Sequence, residues 1–281
     1  MILTYSLGCN SAALGSEMAL VKIQKGPATV IVDTDNGARL ASLEVNGLNL
    51  LVGRDANPLS WGCFPMVPWV GRLRNSSFWY DAKVRRVRKN FGQHSIHGTA
   101  FDKPWQQVGS GRFSTVFDED WPFAGSAHQT VSLKADELVM TLEVRSEGDK
   151  FPASIGWHPW FNRQLERGRP AELSFTAGSQ YLCDAELIPT GVLAPPLDGP
   201  WDDSFTEMHK EPVIHWPGAM RMELSSTVND WTIYNLLDHA ICVEPISGPP
   251  NALNIAPVIV SPGQSLFAEM RLKWTLESAV L

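Results

Sequence analysis

Leu266, Ala268, Met270, Leu272 and Trp274 alternate with Phe267, Glu269, Arg271 and Lys273, a period of two that reads as a half-buried β-strand. Leu138, Met140, Leu142 and Val144 repeat the pattern against Val139, Thr141, Glu143 and Arg145, and the segment 127–135 leads into it through an Ala135-Asp136 turn. Apolar residues at helical spacing are nearly absent, which sets aside folds built on helices. Near the start, the β-branched run 29–33, a turn at Asp35-Asn36-Gly37, the run 39–45, a second turn at Asn46-Gly47 and the run 48–52 predict a three-stranded meander. Asn-Gly accepts the positive φ values that tight hairpins need. Further β-rich runs lie at 171–176, 220–225, 231–237 and 239–244, with 20 prolines and 22 glycines spread between the runs. The pattern predicts an all-β fold, a large antiparallel β-sandwich. No repeat, linker or composition shift divides the 281 residues, so the expectation is a single domain over 1–281, a size such sandwiches reach.

Charge narrows the partners. The chain carries 23 Lys+Arg against 30 Asp+Glu, a formal net charge of −7. A protein whose main business is to wrap nucleic acid needs the opposite sign, so no nucleic-acid partner is expected. No window of roughly 20 apolar residues exists, so no membrane span is expected either. Cys9, Cys63, Cys183 and Cys242 form no CxxC pair, which argues against zinc-ribbon and thioredoxin-type readings. They read as free thiols in a reducing compartment. Ser6-Leu7-Gly8-Cys9 hints at a lipoprotein site but lacks a preceding hydrophobic stretch, and the expected location is cytoplasmic.

Three polar constellations stand out, each where a β run meets Gly, Pro and aromatic residues. The first is Phe64-Pro65-Met66-Val67-Pro68-Trp69-Val70-Gly71-Arg72-Leu73-Arg74-Asn75, with His94-Ser95-Ile96-His97-Gly98 downstream. The second is Gly156-Trp157-His158-Pro159-Trp160-Phe161-Asn162, and the third runs from Val243-Glu244-Pro245 to Asn254. Glu244 ends a predicted strand whose same-face neighbours, Ala240 and Cys242, are small and leave room for a ligand. The alternative is a carboxylate tied into a structural hydrogen-bond network. His158, flanked by Trp157 and Pro159-Trp160, is either a satisfied buried histidine or a proton carrier near neutral pH. His94 and His97, three apart, point to opposite faces of an extended segment, so one of them enters a given pocket.

That spacing argues against a metal pair, and neither HExxH nor HxH occurs, so metal-free chemistry without a cofactor is expected. Arg72 follows Gly71, where a missing side chain lets a guanidinium fork onto hydroxyls or a carboxylate; a surface salt bridge is the plain alternative. The run Arg85-Arg86-Val87-Arg88-Lys89 is either a phosphate site or the solvated face of a strand. Trp69, Trp157 and Trp160 offer flat faces on which a pyranose ring stacks. Aromatic faces, a carboxylate, one or two histidines and an arginine are tools for moving protons on a hydroxylated ring.

These motifs, in this order and over nearly the whole chain, resemble those of the aldose 1-epimerase family, the galactose mutarotases and their sugar-phosphate relatives. The resemblance implies a large antiparallel β-sandwich with an open sugar-binding cleft. It implies that Arg72 of Gly71-Arg72 and His97 of Ile96-His97-Gly98 bind substrate. His158 of His158-Pro159-Trp160-Phe161-Asn162 would be the general acid, and Glu244 of Val243-Glu244-Pro245 the catalytic base. Asp202, in the pattern Asp-x-x-Phe completed by Phe205, would hold sugar hydroxyls, with Asp203 its adjacent competitor. Two departures stand out: Gly71 replaces an asparagine, removing one possible hydroxyl contact, and Trp157 replaces a second histidine. Both are expected to alter pocket walls more than the proton-transfer pair. The implied partner is a small sugar, an aldohexose or a hexose phosphate, the latter needing a basic pocket from Arg74 or the run at 85–89. A non-catalytic carbohydrate-binding protein, or a glycosidase using Asp202 and Glu244, are the rival classes.

Overall fold

A computed structural model describes residues 19–278 of the chain. The two alternating segments of the sequence become neighbours: Glu137–Ser146 pairs antiparallel with Ser265–Leu276, setting Met140 opposite Met270 and Leu142 opposite Ala268. Their apolar faces are buried, and each large side chain so placed contributes about 1.5–3 kcal/mol relative to exposure. Among the described residues, 17 strands form one hydrogen-bonded network, and every ladder in it is antiparallel.

That network folds over itself into two layers. One runs through Leu20–Lys25, Ala28–Asp33, Arg39–Val45, Cys63–Met66, Gly156–Asn162, Ala240–Ile246 and Asp230–Tyr234. The other runs through Met220–Ser226, Ser265–Leu276, Glu137–Ser146, Gly125–Leu133, Arg112–Val116 and Gln106–Gly109. The 15-residue strand Asp202–Trp216 joins them. Its residues 202–205 pair with Asp230–Tyr234 and its residues 213–216 with Met220–Ser226. Register shifts against Glu172–Cys183 and a φ of 57° at Glu207 mark where it bends. Val30, Trp157, Val243, Met140 and Met270 meet in one core between the layers.

The all-β sandwich is the fold observed. The meander forms as expected, except that its third strand is regular only over Leu48–Asn49; beyond it Leu50 N bonds Leu43 O and Leu51 bridges to Phe161. The run at 171–176 extends to Cys183, and that at 231–237 stops at Tyr234. Glu244 does not end its strand, which continues to Ile246 because Asp230 and Trp231 of the adjacent strand pair with Ile246 and Pro245. Cys63, Cys183 and Cys242 are free, whereas Cys9 and the Ser6-Leu7-Gly8 segment lie outside the described residues. No helix among the described residues is long and apolar enough to cross a membrane.

Candidate active site

The Gly156–Asn162 strand lies between Cys63–Met66 and Ala240–Ile246 and is hydrogen-bonded to both. The second constellation is therefore regular strand rather than the end of one. Pro159 supplies no donor there, and Trp160 N bonds Gly62 O at 2.8 Å beside it. Alternation sends Trp157 and Phe161 into the core, and His158 and Trp160 to the opposite face. This corrects the expectation for two tryptophans: Trp157 and Trp69 are core, and of the three only Trp160 reaches the cleft. The replacement at Trp157 consequently leaves the pocket wall untouched, its indole N–H donating instead to Gln129 Oε1 at 2.9 Å.

On the next strand, Glu244 shares the face of Ala240 and Cys242, and His158 Nε2 stands 3.3 Å from Glu244 Oε1. The two small side chains do not make room for a ligand. Trp160 lies opposite Cys242 in register and packs with Ala240 and Cys242 in a small second core. The His158 ring stacks on Phe64 (4.9 Å between centroids, 24°) and on Trp160 (5.1 Å, 17°). Behind Phe64 is a feature the sequence did not flag. Arg39 is wholly buried, its guanidinium 4.1 Å from the Trp61 ring centre and 4.9 Å from that of Phe64. It donates to four backbone carbonyls, those of Asn36, Pro58, Trp61 and Phe101.

His97 comes from a tight turn. Its φ is 58°, His97 N bonds Gly71 O at 3.1 Å, and the Ser95–Ile96 strand before it pairs with Arg72–Leu73. Gly98 makes the turn possible, since a Cβ there would lie 1.8 Å from Val67 O. The His97 ring meets that of His158 edge-on at 4.8 Å. His94 faces elsewhere, its Nδ1 accepting from Asn75 N at 3.0 Å, so one histidine of the pair enters the pocket. Arg72 donates to Leu187 O at 3.0 Å and to Asp202 Oδ2 at 3.2 Å. Asp203, one residue along the strand, bonds Gln180 instead, which separates it from the cleft.

Arg72, His97, His158, Asp202 and Glu244 thus line a single cleft of about 380 Å³. Tyr234, Thr232 and Leu59 also line it and went unnoticed in the sequence, and Pro250 of the third constellation joins them. Tyr234 and Thr232 were legible in principle as the outward face of the 231–237 run. Gly71 explains one of the departures. Its φ is 57°, and a Cβ would lie 2.5 Å from Pro250 Cγ, so the proline ring fills the space beyond it. Arg74 faces a different set of partners, ion-paired with Glu186 at 2.5 Å and with Asp184. Lys83–Arg86 pairs with Ser77–Tyr80 away from the cleft, and Arg88 bonds Asp102, so the run at 85–89 does not line the pocket.

Burial governs the electrostatics. It pushes His158 down to about 3, with the Arg39 cation adding to the effect, and it pushes His97 well below the ordinary histidine value. Glu244 is raised well above the usual carboxylate range, first by burial and then by the negative charge of Asp202, with Arg72 opposing. Burial thus favours the uncharged form of both groups, an imidazole beside a carboxyl with one proton between them. The same two side chains and Cys242 place their nitrogen, oxygen and sulfur atoms all within 4.8 Å of one another, so a trio of possible metal ligands exists where the sequence spacing suggested none.

The aldose 1-epimerase family pattern matches residues 19–277. The chain belongs to the aldose 1-epimerase family. A curated relative, the uncharacterized protein YphB of Escherichia coli K12, is 31% identical over 106 residues, 35% of this chain and 36% of the relative, so the match spans about a third of that relative's length. The fold is that of a galactose mutarotase-like protein from Clostridium acetobutylicum, with a TM-score of 0.81, 15% identity, and 93% of this chain and 96% of that one covered. Galactose 1-epimerase from Lactobacillus acidophilus is similar too, with a TM-score of 0.76, 15% identity, and 98% of each chain covered. At these identities the two structures speak for the fold alone.

Proposed function

We propose that this member of the family interconverts the α and β anomers of an unphosphorylated aldohexose. The observation that carries the reading is the 3.3 Å separation of His158 Nε2 and Glu244 Oε1 at the floor of the cleft. The anomeric hydroxyl and the ring oxygen of an aldose share one carbon, so two proton carriers a hydrogen bond apart can serve both oxygens. Glu244 as carboxylate takes the proton of the anomeric hydroxyl while His158 as imidazolium donates to the ring oxygen, and the C1–O5 bond breaks. The open aldehyde turns about C1–C2, and reversed transfers close the ring on its other face.

The resting neutral pair and this charged pair hold the same number of protons and differ by one transfer between adjacent atoms. A sugar hydroxyl donating to Glu244 favours the carboxylate, which is how substrate would ready the pair. Arg72, His97 and Asp202 would fix the hydroxyls, and Trp160 and Tyr234 give the ring apolar faces. Among the described residues Arg72 is the only Lys or Arg lining the cleft, and it is already matched by Asp202. This supports a neutral sugar over a hexose phosphate. A purely binding role would leave the juxtaposed acid and base unused.

The test is anomer exchange of fresh α-D-glucose, α-D-galactose and glucose 6-phosphate, followed by polarimetry or NMR with the native protein and with Glu244→Gln. Acceleration that is lost in the variant while sugar affinity persists supports the reading. Binding without exchange in the native protein would overturn it in favour of a sugar-binding role.

A further inference from the structure

We propose that His158, Cys242 and Glu244 form a binding site for a divalent cation of the zinc class, and that its occupancy blocks anomer exchange. The inhibitory part of this proposal rests on the reading of His158 and Glu244 as the proton-transfer pair. The site itself rests on geometry.

Cys242 has no part in the proton transfers, yet it lies two residues from Glu244 on the same strand face, buried and free. Its sulfur, the imidazole nitrogen and the carboxylate oxygen all fall within 4.8 Å of one another. Zinc bonds nitrogen and carboxylate oxygen at about 2.0 Å in a tetrahedron, so the edge joining two such ligands is roughly 3.3 Å. The His158–Glu244 separation of 3.3 Å already has that length. An edge to thiolate sulfur, bonded at about 2.3 Å, is roughly 3.5 Å. The sulfur lies within 4.8 Å of both partners, so the three groups must close by at most about 1.3 Å to meet it.

The donor set selects the metal. One imidazole, one thiolate and one carboxylate suit zinc and its spectroscopic stand-in cobalt(II), whereas calcium and magnesium require oxygen ligands. Three protein ligands leave a fourth position. Because His158 and Glu244 line the cleft and Cys242 lies behind them, that position opens toward the cleft, where a water or a sugar hydroxyl can occupy it. The opposite nitrogen of His158, Nδ1, has no hydrogen-bond partner among the described residues. Zinc-ligating histidines ordinarily donate from that atom, so its isolation points to reversible binding rather than a permanent structural ion. Binding displaces the protons of the Cys242 thiol and the Glu244 carboxyl to solvent. The cation then holds the lone pair of His158 Nε2 and the Glu244 carboxylate, leaving neither free to move a proton.

The experiment titrates chelator-treated protein with cobalt(II). The expected result is a 1:1 complex with a thiolate-to-cobalt charge-transfer band and the intense visible bands of tetrahedral coordination, both displaced by zinc. Cys242→Ser should abolish the charge-transfer band and weaken zinc binding by more than the roughly 10–100-fold that a ligand's hydrogen-bonding partner is worth. Anomer exchange without metal should stay within about twofold, and zinc inhibition should weaken in parallel with binding. Glu244→Gln should keep the charge-transfer band at reduced affinity, which tests the site even if the serine variant folds poorly. Absence of a cobalt complex in the native protein, or a Cys242→Ser variant binding zinc as tightly, overturns the site. Exchange that disappears on chelation and returns with zinc would overturn the inhibitory assignment and the metal-free reading together. Exchange that persists without any cobalt complex would overturn only the site.

Discussion

The guanidinium of Arg39 lies 4.9 Å from the centre of the Phe64 ring, and that ring stacks at 4.9 Å on the imidazole of His158. A cation is thereby fixed one aromatic ring away from the proposed acid, in a cage of backbone carbonyls rather than beside a carboxylate. Those carbonyls belong to three separate segments, around residues 36, 58–61 and 101, so the same side chain ties cleft-lining Leu59 to the chain beyond His97.

Arg39→Met leaves those acceptors without their donor and is expected to cost about 3 kcal/mol of stability, measured by urea unfolding. Removing the cation also raises the His158 titration, which an NMR pH series of the imidazole reads directly. Arg39→Lys should restore that titration but only part of the stability. An unchanged His158 titration in Arg39→Met would sink the electrostatic role and leave a purely structural one.

Stability should depend on pH through the same pair, with opposite signs. Folded Glu244 keeps a proton that the unfolded chain releases, so its contribution is full below about pH 4.5 and is lost as pH rises through the raised folded value. His158 behaves inversely, contributing above about pH 6.5 and losing that contribution as pH falls toward about 3. Glu244→Gln cannot ionise, so the Tm difference between variant and native protein should grow between roughly pH 5 and pH 9. The activity profile should be bell-shaped, because the working pair carries one proton. A flat profile over that range argues against the pair.

Gly71 and Pro250 should behave as a coupled unit. Gly71→Asn meets the Pro250 ring and is expected to cost about 1–3 kcal/mol, as overpacked sites do. Pro250→Ala should relieve much of that penalty, giving a coupling energy in a double-mutant cycle. Additive effects of the two changes would show that the contact is not what excludes the side chain.

Inorganic phosphate at millimolar concentration should not compete with α-D-galactose, and glucose 6-phosphate should turn over no faster than glucose. The prediction follows from Arg74 and Arg88 being ion-paired outside the cleft and Arg72 being matched by Asp202. Measurable competition by phosphate would require Arg72 to leave Asp202 and would restore the hexose phosphate reading.

The layers were legible because alternation is local: each strand displays its buried face in its own residues, as 138–144 and 266–274 do. The five cleft residues were reached through the family resemblance of their motifs; alternation sets Asp202 and Asp203 on opposite faces, and only the fold shows which face meets the cleft. Arg39 was not legible, since nothing near it in the chain shows that acceptors at 58, 61 and 101 will surround it. The same holds for Cys242, whose proximity to His158 depends on two strands lying side by side. The long Asp202–Trp216 strand escaped because its residues switch layers midway, and no single period describes both halves.

The proposed proton-transfer pair and the rim of the cleft differ in how the backbone holds them. His158 lies in a strand paired on both sides, whereas Arg72 lies in a two-residue strand whose ladder is with Ser95–Ile96. In amide-exchange terms, the His158 strand should open only with the whole fold, while the Arg72 segment should open by local fluctuation. The mouth of the cleft can then breathe around ligands of different outline while the proposed acid and base at its floor keep a fixed geometry.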